Sequence, residues 1–148
     1  MTWAFLDRAK QLSALDLLEA RSMLTTVAQA IGRSMAGIDV VLTPALSEDP
    51  ARLGSLTYAA FGWDLDPWVE RGYSFAPFAE PANLAGQPSA VLPASLTDSG
   101  LPVAVQVIGR PGEDAFVLRV SKAMEDTIGW TGLPLRSHGS RRPHNDHH

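Results

Sequence analysis

The sequence predicts an α/β fold. Three observations carry that prediction: a long amphipathic stripe over residues 13–36, a short β-branched run at Ile38–Leu42 with two further strand-like runs at Ser89–Leu92 and Val103–Ile108, and a second amphipathic helix opening at Glu113-Asp114. With 148 residues, 45% hydrophobic and 19% charged, the chain suits one domain of ordinary size, and a complete fold of that length buries roughly 70% of its unfolded surface. The composition excludes a disordered polymer, a collagen and a charged coiled coil.

Leu17, Leu24, Val27, Ala28, Ile31 and Met35 line one side of the first long helix. Ser13 and Asp16 make a capping box, Leu12 is placed to staple onto Leu17, and Gly37 supplies a left-handed stop. Ile38, Val40, Val41 and Leu42, closed by Thr43-Pro44, predict a strand buried on both faces. From Ser47 to Ala82 the periodicity vanishes. Prolines at 50, 67, 77 and 81 mix with Trp63, Trp68, Tyr73, Phe75 and Phe78, so the stretch is either an ordered specificity region or a partly disordered insertion, and its aromatics favour order. Ser89–Leu92 and Val103–Ile108 predict a hairpin turning at Thr97-Asp98-Ser99-Gly100. Acidic Glu113-Asp114 suits the positive end of the last helix, whose buried stripe is Val117, Val120, Met124 and Ile128 and whose stop is Gly129. Residues 135–148 form a polar tail without apolar pattern, expected to be disordered.

No window approaches the ~18 uninterrupted apolar residues of a membrane span. Asp7, Arg8 and Lys10 occupy the start, where a signal peptide needs an apolar run, so the expectation is a cytoplasmic protein with no membrane partner. A net charge of −4 gives no footprint for nucleic acid. The absence of cysteine removes disulfides, thiolate zinc sites and cysteine nucleophiles.

A serine hydrolase needs its hydroxyl beside a base, commonly on a glycine-bounded turn, and no G-x-S-x-G is present. Gly54-Ser55 and Gly139-Ser140 are turn residues, and Lys122 sits on a solvated helix face. His138, His144, His147 and His148 lie on the polar tail, where nothing orients imidazoles around a metal. The acidic pairs Glu48-Asp49 and Asp64/Asp66 fit loop solubility, and Glu113-Asp114 fits helix-dipole compensation better than catalysis. The expectation is therefore no catalytic residue, no metal and no cofactor.

The stretch Phe78-Ala-Glu-Pro-Ala-Asn-Leu-Ala-Gly-Gln-Pro-Ser-Ala-Val-Leu-Pro93, then Gly100-Leu-Pro-Val-Ala-Val-Gln-Val-Ile-Gly-Arg110 and the following helix, resembles the carboxyl-terminal end of the amidase signature family. Asp39-Val-Val-Leu-Thr-Pro44, preceded by a long helix, resembles the family's D-V-L-L-T-P strand. The resemblance covers about residues 10 to 130, with the motifs in the family's order. It implies the carboxyl-terminal portion of an α/β/α sandwich with a mixed sheet, over residues 1–134, and amide hydrolysis by a serine, a bridging second serine and a lysine base. Those catalytic residues belong to the family's amino-terminal and central parts. Met1 then looks like the start of a truncated frame, a separately expressed piece or a remnant gene. The implied partner is the amino-terminal part of an amidase or a second copy of this chain, with a small-molecule amide bound only by the complete enzyme.

By the same resemblance Phe78, Asn83 and Gln87 are substrate-binding candidates beside the amide cleft. Read from the residues alone, Asn83 fixes a turn, Gly86 supplies positive φ and Pro88 starts a strand, while Gln106 is a satisfied sheet residue. Ala104 replaces the family's usual glycine. Ala76 stands where the glutamine-using branch commonly has an acid, so a free amino acid's ammonium lacks its partner, and the aromatic stretch favours a non-peptide carboxamide with an apolar acyl group. The alternative from another class is a standalone interaction or structural protein whose tryptophans form a partner surface.

Overall fold

The computed structural model describes residues 1–129; the polar tail expected over 135–148 lies outside them. In chain order the elements are α1 (Thr2–Ala9), α2 (Ala14–Ser34), β1 (Val41–Pro44), a 3-10 turn (Tyr58–Phe61), α3 (Leu65–Phe75), α4 (Ala79–Ala85), β2 (Ser89–Leu96), β3 (Pro102–Ile108) and α5 (Asp114–Ile128). The three strands form one sheet in the order β1-β3-β2, and both pairings are antiparallel. β3 is central: Ile108 faces both Val41 and Ser89 in the register.

The hairpin forms as its sequence dictates. Gly100 takes φ 78°, and the turn closes through Thr97 N–H to Leu101 O at 2.8 Å and Leu101 N–H to Thr97 Oγ1 at 3.0 Å. A register irregularity between Pro93 and Ser95 lets β2 continue past the proline, which has no ladder hydrogen to give. Val107, fully buried, joins Leu92 and Val117 in the core, with Val40, Ala90, Val105, Val120 and Met124 around them. α5 therefore covers one face of the sheet through the predicted stripe. On the opposite face of β3, Gln106 and Ile108 are also buried.

Gly109 sets how close α5 comes. A methyl there would occupy the space of Val117 Cγ2 and touch Pro88 Cγ at 3.5 Å. The end of β3 and the first turns of α5 meet because nothing but hydrogen projects from that position. Ser121, on the same buried side of α5, keeps a hydroxyl with no hydrogen-bond partner among the described residues.

The expectation of a first strand buried on both faces is corrected. β1 begins only at Val41, has one neighbour, and leaves Leu42 and Ile38 exposed, because α5 lies over Leu92 and Val107 and does not reach the β1 edge. The stretch from Ser47 to Ala82 carries the 3-10 turn, α3 and the start of α4, its beginning tied down by Ser47 N–H to Phe75 O at 3.1 Å. Asp64 caps α3 by accepting from the Asp66 N–H, and Pro67 and Pro81 both sit in first turns, where a missing N–H costs nothing.

The capping box of α2 is complete: Ser13 Oγ accepts from Asp16 N–H at 3.2 Å, and Ser13 N–H donates to the Asp16 carboxylate at 2.7 Å. The staple does not form, since Leu12 and Leu17 both remain well exposed. Met35, just past the end of α2, is the stripe residue that becomes buried.

Two outcomes are expected. Gly109→Ala should destabilise the chain by about 1–3 kcal/mol through overpacking, and Val117→Ala in the same molecule should recover part of that loss in denaturant unfolding. The Ser13 hydrogen bonds hold the Asp16 carboxyl below its ordinary value of 3.8. A depressed folded-state pKa contributes stability above the unfolded value and loses it as pH falls through the folded one. Asp16→Asn should therefore lower the melting temperature at neutral pH, and the gap to the parent should close on acidification.

Candidate functional site

The three predicted site residues lie on one segment but in different surroundings. Phe78 is the half-buried N-cap residue of α4. Asn83 is exposed on that helix and faces α2 across an open groove of about 550 Å³ lined by Arg21, Leu24, Ala28, Gln29 and Leu84. Gln87 follows the left-handed Gly86 (φ 64°), is half-buried, and donates its side-chain amide to Gly109 O at 3.0 Å. The Gly109 N–H returns the link to Pro88 O at 3.0 Å, so Gln87 extends the strand pairing by one side-chain rung. Asn83 belongs to helix α4 and not to the turn its residue type favours; Gly86 alone takes the positive φ that ends the helix.

Gln106 donates to Ser89 Oγ at 3.0 Å, which satisfies a buried amide across the β2–β3 pair. Ala104, in the place of the family's glycine, is half-buried, and its carbonyl accepts from Ala45 N–H at 3.0 Å. Ala76 ends α3.

The aromatic stretch organises into a relay of rings. Trp68 stands edge-on to Phe5 (6.4 Å between centroids) and to Tyr58 (5.9 Å), and Tyr58 is edge-on to Trp63 (5.6 Å). Trp68 Nε1–H donates to Leu56 O at 2.9 Å. Trp63 takes φ 63° after Gly62, a left-handed backbone that a bulky residue rarely adopts, and its indole stays exposed.

Several charged groups in the described residues pair with one another. Lys10 meets Asp7 at 2.7 Å, Lys122 meets Asp126, Arg8 meets Asp66, and Arg71 meets Glu48 at 2.6 Å. Arg110 bridges Glu113 at 3.2 Å and Asp39 at 3.5 Å. Of the acidic pairs noted in the sequence, Glu48, Asp66 and Glu113 are engaged by arginines and Asp64 caps α3. Among the described residues no serine hydroxyl is hydrogen-bonded to a lysine, and no cluster of three acidic or histidine side chains is placed to hold a metal. No described helix is long and apolar enough to cross a membrane.

In the described residues a long helix leads through Asp39 and Val40 into β1, and β1, β2 and β3 form an antiparallel sheet backed by α5, with the motifs in the order read from the sequence. The chain belongs to the amidase family, whose model matches residues 1–118. It is 35% identical over 118 residues to a subunit of the glutamyl-tRNA(Gln) amidotransferase of Roseobacter denitrificans, covering 79% of this chain and 22% of that one. Among solved structures it superposes on 6-aminohexanoate cyclic dimer hydrolase with a TM-score of 0.79 at 24% identity, covering 86% of this chain and 27% of that one. The corresponding amidotransferase subunit of Thermotoga maritima gives a TM-score of 0.66 at 24% identity, covering 90% and 29%. These two superpositions show a shared fold. The chain spans about a fifth to under a third of the proteins it matches.

Because Gln87 closes a strand end and Asn83 touches only the groove, their stability effects should differ. Gln87→Ala should cost about 1–3 kcal/mol by stranding the Gly109 carbonyl, whereas Asn83→Ala should leave the denaturation midpoint within error.

Proposed function

We propose that this chain supplies the carboxyl-terminal portion of an amide hydrolase and does not hydrolyse amides alone. One observation carries the reading: the amidase-family match runs over most of the chain yet over only about a fifth of a relative's length. In keeping with it, no serine hydroxyl among the described residues is bonded to a lysine; Lys10 and Lys122 pair with aspartates. The reaction is attack of a serine on a carboxamide carbonyl, with loss of ammonia or an amine and hydrolysis of the acyl-enzyme. The serine and its base come from the complementary part of the fold.

Within that enzyme Phe78, Asn83 and Gln87 flank the substrate, the last positioned by its bond to Gly109. Alanine at position 76 leaves an amino acid's ammonium without a carboxylate, and the rings from Tyr58 to Trp68 offer apolar area. Both features support a non-peptide carboxamide with an apolar acyl group, acted on in the cytoplasm without a cofactor. One of the structures that share the fold is, by its name, a hydrolase of a cyclic 6-aminohexanoate dimer. A second reading, a non-catalytic interaction protein, draws support from the exposed indoles of Trp3 and Trp63.

The test co-produces this chain with the Roseobacter denitrificans relative lacking its 118 matched residues, then measures ammonia release from simple aliphatic and aromatic carboxamides. The chain alone should release no ammonia, with or without Ser89→Ala or Ser95→Ala. Turnover should appear only in the mixture. Activity from the chain alone that Ser89→Ala abolishes would overturn the reading; a silent mixture favours the interaction protein.

A further inference from the structure

α2 is 21 residues long, and none of its residues is buried. Leu15, Leu17, Leu18, Met23, Leu24 and Val27 are between 40% and 70% exposed. A helix that amphipathic packing alone explains keeps its apolar residues on one side and buries that side. Here neither condition holds. Leu15 and Leu24 are nine residues apart, which is two and a half turns at 3.6 residues per turn, so they project from opposite sides. Apolar side chains leave α2 in directions that no single flat surface covers, and helices with apolar residues all round belong inside larger folds.

The polar residues of α2 do not offset this by reaching across to the sheet. Thr25 and Thr26 turn their hydroxyls back onto the Arg21 and Ser22 carbonyls four residues earlier. α4 packs against α2, and between them lies an open groove that holds Leu24, Ala28, Asn83 and Leu84. A second copy of this chain laid along α2 would bury one seam and leave Leu15 or Leu24 in water. The amidase-fold structures that this chain superposes on have about 70% of their chain outside the matched part, enough to enclose a helix.

From this geometry we infer that α2, with the α2–α4 groove, is the docking surface for the complementary portion of an amidase-family chain, and that this portion wraps the helix on both sides. The inference deepens the functional reading above and rests on it for the identity of the occupant. It differs in what it predicts, because it concerns which atoms are covered and not whether an amide is cleaved.

The lack of cysteine makes the surface directly measurable. Leu15→Cys, Leu24→Cys and, as a control on the exposed side of α5, Lys122→Cys are made singly in the full chain, and maleimide labelling rates are compared with and without the co-produced Roseobacter denitrificans relative lacking its 118 matched residues. Both leucine positions should label at least tenfold more slowly in the complex, and Lys122→Cys should label equally in both. Failure to co-purify would overturn the inference. So would a complex in which either leucine position keeps its free rate, or protection of both in the chain alone that grows with its concentration, which would make a second copy the occupant. A complex that protects both positions yet releases no ammonia would leave the docking surface standing and sink the catalytic reading.

Discussion

The contact between Val107 and Val117, made possible by the bare backbone at Gly109, is the constraint on which the remaining structure depends. It fixes the distance between the central strand and α5. Leu92 and Ala90 then enter the same core from β2, and Val120 and Met124 from the next turns of the helix. Arg110, immediately after the glycine, is carried to where it spans Glu113 and Asp39, so the ion pairs are a result of the packing. They are partly exposed and add little on their own.

Several residues that mark the family in this chain serve that contact. Gly109 clears space, Gln87 completes the strand end, Gly86 stops α4, and Gln106 is paired with Ser89. Much of the motif content is therefore architecture that sets where a catalytic half would stand. Chemistry and scaffold are separable in sequence here, since the pairs that look acidic and reactive at Glu48, Asp66 and Glu113 are engaged with arginines.

The α2 capping box, the Thr97–Gly100 turn and the α5 stripe were legible in the sequence because each is decided by neighbours within a few residues. The stretch around α3 and α4 was not, because its helices are short and carry prolines in their first turns, which breaks the periodic signal without breaking the helix. Asp64 with Pro67 three residues on was the local mark available. The exposed edge at β1 was equally hidden: an apolar strand records the surroundings it is built for, and in these residues only β3 meets it. As for the candidate site, its residues were found through motif order, while the partner of Gln87 lies 22 residues away on another strand, where no local pattern points.

The order of strands in the sheet also sets an order of events during folding. β2 and β3 are joined by the five residues 97–101, whereas β1 reaches β3 across the 57 residues 45–101. Closing the longer connection costs about 2 kcal/mol more chain entropy, taking the logarithmic growth of loop closure. β1 contributes four residues to the sheet, little to set against that cost. The hairpin with α5 should thus assemble first and open last, and the amides of β1 should exchange with solvent ahead of those of β3.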